Sequence, residues 1–299
     1  MDKWLNYHHL IYFKTIATEG SISKASDVLK VGQPALSSQL KNFEEYLGIK
    51  LFDRVNKRLV LTETGKIALD YANQINQLGQ DLLRTIENKE TTASHHLAVG
   101  ALDSIPKHLI LDVIEIAKKE LNCHFTIIEG SINDLMQSLH THEIDIIISD
   151  HIISHDSSSR VLCHKFLKDN ICAYSAKKFM ELKDNFPESL NDQPVILPTD
   201  HSQLRFQIDQ FALKHDIDYE IIAQTQDTAV KKLIAIRGNG IVFLPERAAS
   251  EYVENGQLHL LGTLEDVETE YYVISSERTI KNPALKVILD QDFDHIINK

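Results

Sequence analysis

Residues 5–47 contain three short blocks with the 3.6-residue period of amphipathic helices. Ser21 and Ser23 are candidate N-caps for the second block, and Gly32 permits a tight turn before the third. Pro34 suits the first turn of a helix, where a missing N–H costs nothing. The apolar positions that should pack together are Leu10, Phe13, Ile16, Ala17, Ala25, Val28, Leu29, Leu36, Leu40, Phe43 and Leu47. The pattern predicts a helix-turn-helix.

The third helix should present a polar face near its N-terminus. Its apolar residues face inward, so the outward positions are Gln33, Ser37, Ser38 and Lys41. Hydroxyl and amide groups can donate to and accept from base edges in the major groove, and a helix N-terminus favours phosphate. These residues are therefore candidate DNA contacts, although the same pattern also fits a solvated helix face.

A hairpin with a basic tip is predicted after the third helix. Residues 51–65 contain short apolar strands around Arg54, Lys57 and Arg58. Lysine and arginine side chains neutralise phosphates, and such contacts position a protein on the duplex. The hairpin is therefore a candidate wing beside the groove.

Residues 64–90 form a long helical pattern without proline. Its apolar seam alternates spacings of three and four residues and contains Ala68, Tyr71, Ile75, Leu78 and Leu82. Pairing of two such seams would place two recognition helices on two half-sites. We therefore predict a homodimer with Tyr71, Ile75, Leu78 and Leu82 at its interface.

Charge separates the N-terminal part from the rest of this 299-residue chain, whose formal net charge is −12. Residues 1–90 carry 12 Lys+Arg and 11 Asp+Glu, whereas the remaining residues carry 19 and 32. The asymmetry favours an N-terminal part that binds a polyanion. The length allows two or three domains. Because no run reaches the ~18 apolar residues of a membrane span and no signal-peptide pattern is present, we expect a cytoplasmic protein without membrane contact.

Beyond residue 94 the pattern alternates strands with helices. Strands are predicted at 95–102, 123–130, 143–150, 169–176, 193–198, 219–225, 240–245 and 270–276, and helices at 104–120, 132–142, 202–214 and 227–237. This alternation is typical of a parallel α/β sheet with crossover helices. Ligands of such sheets bind at the carboxyl ends of the strands.

Polar residues follow several of these strands and are candidates for binding a small effector. They are Asp103, Ser104, Ser131, Asp150, Thr199, Ser202, Thr225 and Asp227. Hydroxyls at helix N-termini favour an anion. The carboxylates of Asp103, Asp150 and Asp227 instead suit a hard cation or an ammonium group and form a speculative cation site. The aspartates could also serve only as helix caps.

Residues 5–66 resemble the winged helix-turn-helix of LysR-type transcriptional regulators, in the stretches GSISKASDVLKVGQPALSSQLKNFEEYLGIKLFDR and LTETGKIAL. By this resemblance the DNA-facing residues are Gln33, Pro34, Ser37 and Lys41, with Arg54, Lys57 and Arg58 on the wing. Ser38 occupies a position where the family often carries arginine. Lys41 would therefore contribute more of the DNA contact.

The rest of the chain resembles the same family more weakly. The stretches IDIIISD and VETEYYVISSERTIKNPALKVI are most similar to the branch that regulates sodium/proton antiporter genes. The resemblance implies an α/β sensor of two periplasmic-binding-protein-like subdomains, connected at 163–168 and 264–270. The implied parts are 1–63 (α+β winged helix-turn-helix), 64–94 (linker and dimerisation helix), 95–163 with 268–299 (sensor subdomain I) and 164–267 (sensor subdomain II). It also implies promoter DNA, RNA polymerase and a tetramer as partners, sodium or another cation as effector, and no cofactor.

Other functions stay open on the sequence alone. A regulator of a metabolic operon would bind an organic effector, and an α/β small-molecule-binding protein or enzyme would have no regulatory role. No GxSxG, GxGxxG or P-loop pattern is present, which disfavours the enzyme. Cys123, Cys163 and Cys172 are widely spaced in apolar stretches, so we predict buried free thiols rather than a disulfide framework or a zinc site.

Overall fold

The computed structural model describes residues 4–55, 58–87, 95–152, 161–277 and 282–290. Its first elements are α1 (Tyr7–Glu19), α2 (Ile22–Leu29), α3 (Gln33–Leu47), β1 (Phe52–Val55) and β2 (Arg58–Leu61). The two strands pair antiparallel, and the five elements share one apolar cluster. They form a winged helix-turn-helix, as predicted, and we call residues 7–61 the head.

Local signals explain where the head helices begin. The Oγ atom of Ser21 accepts the N–H of Lys24, so Ser21 rather than Ser23 caps α2. α3 begins directly after Gly32, with Pro34 in its first turn. The prediction for Val28 was wrong: its side chain is exposed, because this short helix buries only Ala25 fully.

α4 (Glu63–Glu87) leaves the wing as a helix of 25 residues, about 37 Å long. Thr62 Oγ1 accepts the N–H of Gly65 in its first turn. α1 approaches α4 closely at Gly79, where a Cβ atom would lie 2.6 Å from Tyr7 Oη. A larger residue at this position would require the Tyr7 side chain to shift. No helix among the described residues, α4 included, is long and apolar enough to cross a membrane.

The C-terminal part, which we call the sensor, contains a single mixed sheet. Its strands are β3 (His95–Leu102), β4 (Cys123–Gly130), β5 (Ile146–Ser149), β6 (Val161–Ser175), β7 (Pro194–Leu197), β8 (Glu220–Gln224), β9 (Ile241–Pro245) and β10 (His259–Ser276). The strand order is β4-β3-β5-β10-β6-β9-β7-β8. β3 pairs in parallel with β4 and β5, and β7 with β8 and β9, as the alternating pattern predicted.

Helices cover this sheet and connect its parallel strands. They are α5 (Lys107–Glu120), α6 (Ile132–His140), α7 (Gln203–Lys214), α8 (Thr228–Ile236), α9 (Glu246–Glu254) and α10 (Pro283–Leu289). The first four lie within the predicted helical segments. The sequence pattern does not predict α9 and α10, which have nine and seven residues.

β6 and β10 run antiparallel to each other through the whole sensor. The connections expected at 163–168 and 264–270 are therefore parts of these long strands. One apolar cluster reaches Leu167 and resumes at Tyr271, whereas a second begins at Ile171 and ends at Val267. We call the two halves subdomain I and subdomain II. Their proposed limits, 95–163 with 268–299 and 164–267, stay a prediction.

A buried histidine connects the sensor to α4. His142 follows α6 in a left-handed conformation, with φ of 56°, and its Nε2 atom hydrogen-bonds with Asp70 Oδ1. The other carboxylate oxygen of Asp70 accepts the side-chain N–H of Gln74 at 2.9 Å. The sensor therefore contacts the linker helix of its own chain through side chains as well as through the connecting backbone.

Candidate DNA-binding surface and sensor cleft

α3 presents polar side chains on the face that points away from the head core. Its buried residues include Leu36, Leu40 and Phe43. Gln33, Pro34, Ser38 and Lys41 are exposed, and Ser37 is half-buried. Since Gly32 offers no side-chain cap, N–H groups of the first turn can face a phosphate. The predicted face is present, and its contact with DNA stays a prediction.

Lys41 has an acidic neighbour on the same helix. Its Nζ atom lies 3.5 Å from the carboxylate of Glu45, and both side chains are exposed. Exposed pairs of this spacing contribute only about 0.3–0.5 kcal/mol. Lys41 can therefore exchange Glu45 for a phosphate at little cost.

The wing carries one basic side chain whose position the structure describes. Arg54 is exposed in β1, next to the exposed Asp53. Arg58 begins β2, but its side chain, like the whole of Lys57, lies outside the described residues. Arg54 is therefore the wing residue on which the structural argument rests.

Glu44 joins α3 to the first wing strand, and sequence reasoning missed it. Its carboxylate accepts the backbone N–H groups of Leu51 at 2.9 Å and Phe52 at 3.3 Å, and Lys50 Nζ at 2.6 Å. Burial alone would raise the pKa of Glu44, but these hydrogen bonds lower it below its ordinary value. The sequence does contain a signal for this role, because Glu44 follows Leu40 by four residues and therefore lies on the apolar side of the helix.

α4 has an exposed apolar stripe along most of its length. Tyr71 and Leu78 are each 48% exposed and Leu82 is 60% exposed. Ile75 differs, because it is half-buried and packs against the apolar cluster of the head. Three of the four predicted dimerisation residues are therefore available to a partner, whereas Ile75 contributes to its own head.

A cavity of about 880 Å³ lies between the two sensor subdomains. The predicted effector residues that line it are Asp103, Ser104, Ser131, Asp150 and Ser202. Its wall also contains His151, His201, Gln203, Gln207, Gln226, Asp266, Glu268, Thr269, Glu270 and Tyr272. Five predicted residues that lie far apart in the sequence therefore line one cleft, and their contact with an effector stays a prediction.

The other three predicted effector residues are outside this lining and support it. Thr199 Oγ1 accepts the side-chain N–H of Gln226 at 2.5 Å, and Thr225 Oγ1 accepts the backbone N–H of Asp227 at 3.2 Å. Asp227 caps α8 by accepting the N–H groups of Ala229 and Val230 at 2.7 and 3.1 Å. In the described ranges, no three His, Cys, Asp or Glu side chains are grouped so that they could hold a metal ion. The three-aspartate cation site is therefore not assembled, because Asp227 is used as a helix cap.

Asp150 hydrogen-bonds with two neighbouring side chains of the cleft. Its Oδ1 atom lies 2.8 Å from His151 Nδ1, and Ser104 also hydrogen-bonds to it. Burial would raise the pKa of Asp150, but these hydrogen bonds hold it below the ordinary value. The hydrogen bond to Asp150 correspondingly raises the pKa of His151.

A buried lysine of subdomain II lies near this carboxylate. Lys231 of α8 is 3% exposed. Burial lowers its pKa to about 8, although the negative charges of Asp150 and Asp227 act in the opposite direction. On the same helix, Thr228 Oγ1 donates to the carbonyl oxygen of Ser104 at 2.8 Å. The start of α8 thus connects subdomain II to the cleft residues of subdomain I.

Three further carboxylates of the cleft come from β10 and were not predicted. Each has a lysine partner: Asp266 pairs with Lys214 at 3.2 Å, Glu268 with Lys168 at 2.5 Å and Glu270 with Lys165 at 2.5 Å. No lysine or arginine belongs to the described lining itself. The cleft surface is therefore acidic, with its compensating lysines set back from it.

A winged helix-turn-helix joined by a long helix to a two-subdomain sensor with a polar cleft defines a ligand-responsive transcriptional regulator. Residues 7–66 match the family model described as "Bacterial regulatory helix-turn-helix protein, lysR family", and residues 90–291 match "LysR substrate binding domain". The chain belongs to the LysR family. It is a DNA-binding transcriptional regulator and not an enzyme.

Individual relatives cover almost the whole chain. It is similar to the transcriptional activator protein NhaR of Escherichia coli (strain K12), with 26% identity over 295 residues, 98% of this chain and 97% of that protein. Among solved structures, full-length LysG from Corynebacterium glutamicum with bound effector Arg gives a TM-score of 0.61 at 16% identity, covering 98% of this chain and 99% of that one. A full-length OxyR variant from Pseudomonas aeruginosa gives a TM-score of 0.59 at 21% identity, covering 97% of this chain and 95% of that one. These structural similarities support the fold.

Proposed function

We propose that this protein binds promoter DNA as a homodimer and changes its output when a small cationic effector occupies the cleft. The residues proposed to contact DNA are Gln33, Pro34, Ser37, Ser38 and Lys41 of α3 with Arg54, Lys57 and Arg58 of the wing. The observation that carries the DNA assignment is the exposed polar face of α3, together with the exposed Arg54 of the wing. We further expect a cytoplasmic protein, and by family resemblance a tetramer that contacts RNA polymerase.

Separating phosphate contacts from base contacts tests the DNA surface. Lys41→Ala and Arg54→Ala should weaken binding to specific and scrambled duplexes alike, and each should flatten the salt dependence by about one unit of log Kd per log salt. Gln33→Ala and Ser37→Ala should mainly reduce the preference for the specific duplex. Fluorescence anisotropy over several salt concentrations measures both. Lys177→Ala, an exposed sensor lysine, is the charge-matched control.

Equal losses on both duplexes for all four head variants, with unchanged salt dependence, would contradict this assignment of the α3 face. A wild-type protein without salt-dependent duplex binding would contradict the DNA function of the head itself.

The cleft lining supports a cationic rather than an anionic effector. Five carboxylates line the cavity, and the described lining contains no lysine or arginine to bind an anion. The volume of about 880 Å³ suits an organic molecule better than a bare ion. We therefore favour an organic cation bearing an amine or guanidine, with Asp103 and Asp150 as its partners.

Sodium is the second candidate, because stretches of the sequence resemble the branch of the family that regulates sodium/proton antiporter genes. Thermal unfolding in sodium chloride and potassium chloride at equal concentration would reveal a sodium-specific stabilisation. L-arginine and potassium glutamate, at matched ionic strength, test the organic cation against an organic anion. A ligand that binds only the folded state raises its melting temperature.

Asp103→Asn is the most direct variant for this experiment, because the Asp103 side chain is exposed. Stabilisation by L-arginine in the wild type that is lost in Asp103→Asn supports the proposed class. Stabilisation by glutamate alone would mean an anionic effector and contradict it.

A further inference from the structure

The segment Lys50–Phe52 lies where the recognition helix, the wing and the linker helix meet. On one side, Glu44 accepts the N–H groups of Leu51 and Phe52. On the other side, the N–H and side-chain O–H of Thr62 donate to the carbonyl oxygens of Leu51 and Lys50 at 3.0 and 2.9 Å. Backbone groups of the segment are thus held by α3 on one side and by the residue that precedes α4 on the other.

Close packing leaves this segment little freedom on the linker side. A Cβ atom at Gly65 would lie 2.1 Å from the carbonyl oxygen of Leu51, so the backbones of α4 and the segment are in contact. Leu51 itself is fully buried. The contact from α3, by comparison, depends on the single carboxylate of Glu44, which is 7% exposed. Removing it would leave two buried N–H groups without their acceptor.

We propose that Glu44 is a positioning residue for DNA binding. Its carboxylate fixes the first wing strand relative to α3, so that Arg54 and the polar face of α3 reach the duplex together. Arg54 lies two residues after Phe52 in the same strand, and a shift of the strand moves it directly. The inference rests on the proposed contact of Arg54 with phosphate.

A double-mutant cycle on the full-length protein tests this coupling. If Glu44 acts through the wing, Glu44→Ala should lower the salt slope by about 0.9, as Arg54→Ala does, because one phosphate contact is lost. The double variant should then bind no more weakly than the weaker single variant. Glu45→Ala is the matched control, since Glu45 is the adjacent, exposed carboxylate of the same helix, and it should keep the wild-type slope.

Glu44→Gln keeps the size of the side chain and one carbonyl acceptor but loses the charge that pairs with Lys50. Its salt slope should lie between those of the wild type and Arg54→Ala. This variant also preserves a test if Glu44→Ala unfolds the head, which circular dichroism would detect. Independent, additive losses in the cycle, or a wild-type slope in Glu44→Gln, would overturn the inference. A wild-type slope in Arg54→Ala would instead overturn the proposed wing contact.

Discussion

Lys231 is a charged side chain in a place that water hardly reaches. The described side chains provide it with no hydrogen bond or ion pair, although Asp150 and Asp227 attract it. Lys232, its neighbour, donates to the carbonyl oxygen of Ala248 at 3.2 Å and lies 4.4 Å from the ring centre of Tyr252. The two adjacent lysines therefore differ in whether burial is compensated by contacts.

We predict that Lys231→Met stabilises the protein at neutral pH. The fall of the Lys231 pKa from its ordinary 10.5 to about 8 corresponds to roughly 3 kcal/mol of cost for burying the charge. The unfolded chain binds the proton up to about pH 10.5 and the folded chain only up to about pH 8, so wild-type stability rises between these values. The gain from Lys231→Met should therefore shrink as the pH rises from 8 to 10.5.

Chemical unfolding at pH 7 and pH 10 measures this difference. Lys232→Met serves as control and should not stabilise, because it removes a hydrogen bond and a cation–π contact. A Lys231→Met protein no more stable than wild type at pH 7 would contradict the predicted cost.

At the scale of elements, α4 contains two kinds of apolar residue: those of its exposed stripe and those that pack against the head. We predict that Leu78→Glu dissociates the homodimer while the head stays folded, because Leu78 lies on the exposed stripe and a buried carboxylate without a partner costs several kcal/mol. Ile75→Glu should instead lower the melting temperature of the head, because Ile75 packs against its core. Light scattering and thermal unfolding of both variants distinguish the two effects.

The expectation depends on the wild type being a dimer in the same experiment. A Leu78→Glu protein that stays dimeric would place the interface elsewhere. A folded, fully stable Ile75→Glu head would mean that this position faces the partner after all.

The head elements were predictable because their signals are local. Ser21, Gly32 and Pro34 act within a few residues, and the helical period needs only one stretch of sequence to be visible. The positions of Asp103 and Asp150 at the cleft follow from an equally local signal, because each residue directly follows a strand. Their contact with an effector stays a prediction. Residues whose role depends on distant neighbours, such as Glu44 and Lys231, gave no comparable signal.

The long strands β6 and β10 show why the sequence pattern does not predict their full length. The segments 163–168 and 264–270 contain charged residues and were interpreted as connections. In the sheet, Lys165 pairs with Glu270 and Lys168 with Glu268 on the neighbouring strand, which permits charged side chains in the middle of a strand. This pairing joins residues about a hundred positions apart, and a single sequence does not reveal it.

At the scale of the whole molecule, subdomain II is an insertion into subdomain I. The chain enters it along β6 and leaves it along β10, and the residues at the crossing are direct partners: Asn170 pairs with Glu268 and Asp169 with Thr269. The apolar clusters also divide at this level. Entry and exit are therefore adjacent positions of one antiparallel pair.

Because Asp169 and Thr269 pair across the two strands, subdomain II can be deleted between them in frame. We predict that replacing residues 170–268 by Asn-Gly closes β6 and β10 into a hairpin, because this dipeptide favours the two-residue turn that connects antiparallel strands. Subdomain I should remain folded with its own apolar core, at reduced stability. Cooperative thermal unfolding of the shortened chain, compared with the full-length protein, measures this. Loss of cooperative unfolding would mean that subdomain I depends on subdomain II for its fold.

Because subdomain II lies between the paired residues Asp169 and Thr269, exchanging it would replace one wall of the sensor cleft. Asp103, Ser131 and Asp150 stay with subdomain I, whereas Ser202, Gln207 and Gln226 are carried by the insertion. Transplanting subdomain II from another member of the family between Asp169 and Thr269 should therefore change the ligand preference of the sensor and leave its operator preference with the original head.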